Sequence, residues 1–379
     1  MSTTPISSQV RFALVARAGG RCEFKNCNKR IDEDELTRRL SKTGVYAHIV
    51  ADKPDGPRGD PIRSRQLADK IENLMLLCRT CHERIDGREW ARYPETLLLE
   101  YKRDHEERVE RLLCIDGANR THVLRFTAPV GTRPVHIART DAYDAVLPVC
   151  PSGQDVHIDM TNWAVRDDDP SYWQGMAAEL SRRVRHHLVD APNPDCQPWS
   201  VFGIAPIPLL MLLGRDVGDI ASVRVFQKHR IPDTWKWQPT AGCGPHFTVE
   251  RPLAQQTSPD VLLVLSVSGR IAPSVIPPTL TAAPRWELLA RNPDVQFVRA
   301  EQQRDEFGVL VRQVIEDIKS SHGPGVRVHV LPAVPVSLAI EFGRRLLPKT
   351  DPAILVYDSH RANGGMAFAL ELLAPAAQP

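Results

Sequence analysis

Apolar residues are spaced differently in the two parts of the chain. In the first hundred or so residues they form short, isolated patterns. A mildly amphipathic stretch predicts a helix from about 7 to 18, closed by Gly19 and Gly20. A short β-like run, "GVYAHIV", precedes a Gly/Pro/Asp/Arg loop, and "NLMLLC" reads as a buried strand. "RYPETLLLEYKRDHEERVERLL" places Pro94 to start a helix that carries Leu97, Leu98, Tyr101, His105, Val109 and Leu112 at helical spacing. His105 reads as a packing residue on that stripe.

Residues 114–145 carry Gly, Asn, Thr and Pro with no sustained period, and a linker is placed there. Beyond it the pattern repeats. "APIPLLMLLGR" (205–215) aligns without gaps on "VPVSLAIEFGR" (334–344), matching Pro206, Leu209, Gly214 and Arg215 with Pro335, Leu338, Gly343 and Arg344. With two extra residues in the second copy, "VRVFQKHR" then aligns on "ILVYDSHR", pairing Val225, His229 and Arg230 with Val356, His360 and Arg361. Each copy has an apolar strand upstream, preceded by an amphipathic helix (about 172–188 and 301–320). "DVHIDMTNW" and "DVLLVLSVSG" read as the first strands. The order strand, helix, strand, helix, strand implies parallel sheets with helical crossovers, in copies of about 150–250 and 258–379. Ligands of such sheets sit beyond the carboxyl ends of the strands, near helix amino-termini.

Composition narrows the classes. The 379 residues are 42% hydrophobic and 25% charged, ordinary for a globular protein of two or three domains. A formal net charge of +2 leaves nucleic-acid binding to a local patch. The 32 prolines cluster after residue 128 and mark a turn-rich second part. No apolar stretch reaches the ~18 residues of a membrane span, so a soluble, cytoplasmic protein is expected. The start is acidic-poor, which admits a transit peptide, but the short helix is the preferred reading.

Eight cysteines are too sparse for a disulfide scaffold. Cys22 and Cys27 stand at C-x4-C spacing and Cys78 and Cys81 at C-x2-C, which predicts a tetrahedral Zn(II) site in a reducing compartment. Cys114, Cys150, Cys196 and Cys243 are scattered singly. Taken one by one, His48, Asn73 and His82 suit a buried histidine, a strand-entry cap and a further zinc ligand. Together with the cysteine pairs, in the order Cys-Cys, His, Asn, Cys-Cys-His, they resemble the HNH endonuclease family over about residues 10–113. That resemblance implies an α+β ββα-metal fold on residues 1–113, with His48 as general base, Asn73 orienting it and His82 binding a catalytic Mg(II) or similar cation. An imidazole, whose ordinary pKa lies near neutrality, suits water deprotonation, and a cation offsets the charge gained by a phosphodiester. Many members carry an acidic ligand just before the first histidine; here that residue is Ala47. Asp60 and Asp86 are the candidate replacements, and Arg58, Arg63 and Arg65 candidate phosphate contacts.

The whole chain resembles the HNH-SAVED effectors of cyclic-oligonucleotide-based anti-phage signalling (CBASS) in bacteria. This implies an α/β SAVED sensor domain on residues 146–379, made of two fused Rossmann-like (CARF-like) units. A cyclic di- or trinucleotide would bind it, drive homo-oligomerisation and license cutting of double-stranded DNA. Candidate nucleotide contacts, taken from expected strand ends, are Asn162 and Trp163 in copy one and Ser266, Ser268 and Gly269 in copy two. Trp235 and Trp237 are candidate base platforms, with Lys228, His229, Ser359 and His360 weaker candidates. The competing readings are a restriction-type HNH endonuclease whose second half recognises DNA directly, and a zinc-stapled scaffold without catalysis. Against the former, residues 145–379 show no basic helix or stripe.

Overall fold

The computed structural model describes residues 4–374 except 35–36, 38, 41–42, 114, 132–133, 152, 164–168, 170, 191–196, 219–221, 240–243, 253–256 and 361–364. Cys114, Cys196, Cys243 and Arg361 lie outside the described residues. The chain divides into two units, Met1–Ile115 and Asp116–Pro379. Among the described residues no helix is long and apolar enough to cross a membrane.

In the first unit, helix α1 (Ser8–Arg17) is capped by Ser7, whose hydroxyl accepts the Val10 N–H. It ends where Gly19 and Gly20 take φ of 59° and 66°. There a Cβ on Gly19 would meet Val109 at 3.1 Å, so the turn is both left-handed and tightly packed. Strand β1 (Gly44–His48), the short helix α2 (Arg63–Leu67), strand β2 (Leu74–Cys78) and helix α3 (Arg79–Asp86) follow, then helix α4 (Glu95–Leu113). β1 and β2 pair antiparallel, with Ala47 opposite Met75 and His48 opposite Leu74. All of β2 is buried because it is covered on both faces. Leu74 and Leu76 join the cluster of Ile6 and Leu14, while Met75 and Leu77 join that of Cys22, Ile85 and Leu98. The expected apolar stripe of α4 is buried at Leu98 but exposed by Leu112. His105 packs as expected, with Nε2 on the Ala18 carbonyl at 3.0 Å.

The second unit begins with strands β3 (Asp116–Arg120) and β4 (His122–Thr127), helix α5 (Arg139–Val146), and strands β5 (Val149–Cys150) and β6 (Asp155–Asp159). Helix α6 (Tyr172–Val184), strand β7 (Trp199–Ile204), helix α7 (Ile207–Val217) and strands β8 (Val223–Val225) and β9 (Phe247–Glu250) complete its first half. Its second half runs β10 (Asp260–Ser266), β11 (Arg285–Ala290), α8 (Glu301–His322), β12 (Arg327–Ala333), α9 (Val336–Arg344), β13 (Ala353–His360) and β14 (Gly365–Leu373). One sheet has the order β6-β4-β7-β8, and the other contains β11-β10-β12-β13, extended by β9 and β14 at its edges. Pairing within each four-strand series is parallel, whereas β9 and β14 join antiparallel; β3 and β5 form a small separate ladder.

The repeat is therefore present, but its boundaries differ from those expected. Residues 116–145 do not form a linker: they supply β4, the inner strand between β6 and β7. The first strand of copy one is β4, and 155–159, expected first, is the second. Apart from α5 and β5, which lie between β4 and β6 in the first copy, each copy is strand, strand, helix, strand, helix, strand. β4 escaped notice because "HVLRFT" buries Arg125 and Thr127 among its apolar residues. Arg125 is admitted to the interior by a carboxylate, with Nη2 3.1 Å from Asp155 Oδ1, and by the Ile137 carbonyl.

The copies meet where α7 crosses α9. A Cβ built on Gly214 would lie 1.9 Å from the Ile340 carbonyl oxygen, and one on Gly343 would lie 1.9 Å from that of Met211. The paired glycines of the sequence repeat thus face each other's helix backbone, and one core runs through both copies, including Leu213 and Ile340. An alanine in a helix is ordinarily favoured over glycine by about 1 kcal/mol. Here the sign should reverse: Gly214→Ala and Gly343→Ala should each destabilise by about 3 kcal/mol, at the upper end of overpacking costs. Denaturant titration of the purified chain will measure this.

Candidate functional site: a groove beside a four-cysteine cluster

The four cysteines come from two local devices. After α1 the chain reverses through Asn26 and Asn28, at φ of 64° and 54°, which brings Cys22 and Cys27 together. Cys78 ends β2, and Cys81 lies in the first turn of α3. The four Sγ atoms all lie within 4.8 Å of one another, and Cys27 Sγ is 3.8 Å from Cys78 Sγ. Tetrahedral Zn–S bonds of ~2.3 Å would set sulfur atoms about 3.8 Å apart. Burial pushes the Cys22 thiol up to about 12 and raises that of Cys81 as well. At Cys78 burial acts in the same direction, but the Cys81 N–H and the surrounding thiols outweigh it and lower the thiol's pKa. Buried, mutually repelling thiolates need a cation, so the cluster is consistent with a structural zinc site.

His82 is next to Cys81 but does not belong to that cluster. It lines a groove of about 860 Å³ with His48, Asp52, Glu83 and Asp86. His48 is carried there by β1, where Tyr46 shares its face; Ala47 faces the opposite, cysteine-side cluster. The His48 Nε2 is 2.9 Å from the Ala68 carbonyl, to which it donates, leaving Nδ1 as the ring's acceptor. His82 Nε2 lies 3.2 Å from Asp86 Oδ2, one helical turn away.

The Asn73 side chain makes no hydrogen bond to His48. Its Oδ1 accepts the Val50 N–H at 2.8 Å, and its Nδ2 donates to the carbonyls of Val50 at 3.0 Å and Leu67 at 3.3 Å. It thereby ties the exit of β1 to the segment whose Ala68 carbonyl receives His48. Its support for the ring passes through the backbone.

The other expected contacts divide clearly. Asp60 does not line the groove: its carboxylate accepts the N–H groups of Arg63 and Ile62 at the start of α2, which hold its pKa below the usual carboxylate range. Arg63 is paired with Glu95. Arg58 is not a phosphate contact, since its guanidinium is buried against backbone carbonyls and Asp86. At Asp86, burial alone would raise the carboxyl, but His82 and Arg58 more than offset it and hold it low. Sequence reading left Arg11, Lys53 and Arg79 unassigned, although all three line the groove. Nothing in their local spacing marks them.

In the second unit, Asn162 is exposed and Trp163 half-buried; they follow the second strand of copy one, whereas Ser266 ends the first strand of copy two. The two sets are not equivalent. By sheet register Thr127 corresponds to Ser266: these residues lie opposite Ile204 and Ala333 on the next strand. Ser266 is fully buried, and its hydroxyl donates to Glu287 Oε1 at 2.5 Å, so it is already committed. At the position that corresponds to Glu287 the first copy has His157, whose Nε2 lies 3.1 Å from the Thr127 hydroxyl; that hydroxyl also donates to Asp159 Oδ1 at 3.2 Å. Ser268 and Gly269 are half-buried, and a Cβ on Gly269 would meet nothing within 4 Å. Trp235 is buried at 1% exposure and edge-stacks on Phe202, so it is a core plug and no base platform. Trp237 is half-buried between His229 and Arg304. Lys228 pairs with Asp233, while Ser359 is exposed near the end of β13.

Two outcomes test the first unit. Cys22→Ser should abolish zinc retention, measured by metal analysis, because ligand loss removes folding free energy. Asn73→Asp should destabilise by about 1–3 kcal/mol, since a carboxylate oxygen would face the Val50 carbonyl where an N–H now donates; thermal melting will show it.

No curated protein matches the sequence significantly. Among solved structures it is similar to a Cap4 SAVED/CARF-domain containing receptor of Acinetobacter baumannii with the cyclic trinucleotide 2'3'3'-cAAA, at 13% identity and TM-score 0.45, over 73% of this chain and 56% of that one. The same receptor with 3'3'3'-cAAA gives 12% identity and TM-score 0.45 over 74% and 60%. The Cap4 receptor of Moraxella osloensis gives 13% and 0.41 over 73% and 60%. The chain thus spans 56% to 60% of the length of these receptors. Residues 177–372, more than half of the chain, match the model of the SMODS-associated and fused to various effectors sensor domain, and the chain therefore belongs to the SAVED family.

Proposed function

We propose that this protein is a metal-dependent DNA endonuclease of the HNH type, switched on when its SAVED domain binds a cyclic oligonucleotide. The observation that carries the nuclease reading is the delivery of His48 and His82 to one groove while the four thiols gather in a cluster of their own. Had His82 joined the cysteines, the groove would hold a lone histidine, and a stapled scaffold would be the better reading.

The groove's residues suit phosphodiester hydrolysis. His48, with its Nε2 proton committed to Ala68, offers Nδ1 to take a proton from the attacking water. Asn73 fixes the backbone on both sides of that ring. Arg11, Lys53 and Arg79 supply positive charge for a polyanion along the groove. His82, with Asp86 beside it, would hold a divalent cation such as Mg(II), which in such sites offsets the charge gained by the phosphate. The remaining positions suit water, which Mg(II) sheds reluctantly.

Control by a nucleotide rests on membership of a sensor family and on the duplicated architecture. Two like halves joined at the α7–α9 crossing suit a ligand built of repeated nucleotide units. A ligand bound preferentially by an assembled form shifts the population toward that form, and paired nuclease units can then cut both DNA strands.

The test is plasmid cleavage by the full chain in Mg(II), with and without 2'3'3'-cAAA, 3'3'3'-cAAA and a set of cyclic dinucleotides. Cutting should depend on one of these, and His48→Ala should lower the rate by about a hundredfold or more. Equal cutting without any nucleotide would favour a restriction enzyme that reads DNA directly. No cutting under any condition would leave a non-catalytic scaffold.

A further inference from the structure

Arg58 holds the two sides of the groove together. Its side chain is only 5% exposed, and its backbone sits at φ 60°, a conformation uncommon for a residue with a side chain. The guanidinium makes three separate bonds: Nε donates to the Ile49 carbonyl, Nη1 to that of Ile85 and Nη2 to Asp86 Oδ1, each at 2.7 Å. Ile49 directly follows His48, and Ile85 and Asp86 close the turn of α3 that carries His82. A single rigid fork therefore spans the end of the His48 strand and the end of the His82 helix. A lysine ammonium, with its donors on one atom, cannot reproduce that span.

Asp86 continues the chain of contacts. One of its oxygens is taken by Arg58, and the other lies within ion-pair distance of His82 Nε2, at 3.2 Å. An imidazole that binds a cation through one nitrogen commonly gives the N–H of the other to a carboxylate, which fixes tautomer and ring orientation.

We propose that Arg58 and Asp86 are positioning residues: Arg58 anchors Asp86, and Asp86 holds His82 as its Nε2–H tautomer, which leaves Nδ1 as the nitrogen that would take a divalent cation. The proposal rests on the nuclease reading of the groove. Asp86 takes the place of the missing acidic residue at Ala47 only indirectly, through the histidine.

The decisive variant is Asp86→Asn in the full chain. Its Oδ1 can still accept from Arg58, but an NH2 group then faces His82 Nε2, which must accept and move the ring proton to Nδ1. Histidine-ring ¹H–¹⁵N spectra should show His82 as Nε2–H in the native protein and as Nδ1–H in the variant. Mn(II) binding without DNA, followed by calorimetry, should weaken at least about tenfold, with zinc content unchanged. Arg58→Lys should weaken Mn(II) binding similarly although the charge is kept. Native His82 found as Nδ1–H, or unaltered Mn(II) affinity in Asp86→Asn, would overturn the assignment of Asp86. Unaltered affinity in Arg58→Lys would overturn that of Arg58. If Arg58→Lys does not fold, Arg58→Gln combined with guanidinium rescue of Mn(II) binding decides the same point, absence of rescue counting against Arg58. These readouts need no DNA cleavage, so a native chain that binds Mn(II) as described yet never cuts plasmid would refute the nuclease reading separately.

Discussion

Two helices can approach until their backbones touch only where neither carries a side chain, and that constraint organises the sensor unit. α7 and α9 cross at Gly214 and Gly343, each against a carbonyl of the other helix. Because those helices occupy the same place in the two copies, the contact joins like to like and lets one apolar core extend through both sheets. The corresponding hydroxyls of Thr127 and Ser266, bonded at matching positions of the neighbouring strand to His157 and Glu287, show how far the likeness reaches into detail. They also show where it stops, since one partner is an imidazole and the other a carboxylate.

The duplication was legible because the Gly-Arg ends of α7 and α9 recur at identical spacing, and because their flanking strands are apolar. β4 was not, because an interior strand containing Arg125 looks like a loop until Asp155, thirty positions away, is known to neutralise it. The expected copy boundaries shifted for that reason. The cysteine pairs were legible from spacing alone, which is a local property. Ser266 and Trp235 were misread because a hydroxyl or an indole at a strand end or in a loop says nothing of its burial; Glu287 and Phe202, which occupy them, are remote in sequence. Arg58 was misread for a related reason. In a Gly/Pro/Asp loop it resembles a solvent-facing cation, and only the fold brings Ile49, Ile85 and Asp86 around it.

Adjacent positions on a helix point in directions about 100° apart. Cys81 and His82 use that rotation: the thiol turns toward the buried sulfur cluster while the imidazole turns toward the groove. One short helix thus serves both, and whatever orders its first turn around the thiols also sets the height of the imidazole. The pairing of β1 with β2 places His48 by the same economy, with Ala47 in the apolar interior and His48 on the other face.

β2 carries a further consequence. Its alternate residues belong to different clusters, Leu74 and Leu76 to one and Met75 and Leu77 to the other. Neither cluster contains the residues of a large domain core, and the strand between them is the wall they share. Slipping its register by one position would exchange every side chain between the two sides. The cluster that includes Leu14 of α1 and the one around the thiols therefore depend on the same register of β2. They share a single five-residue strand, so a change that shifts it disturbs both at once.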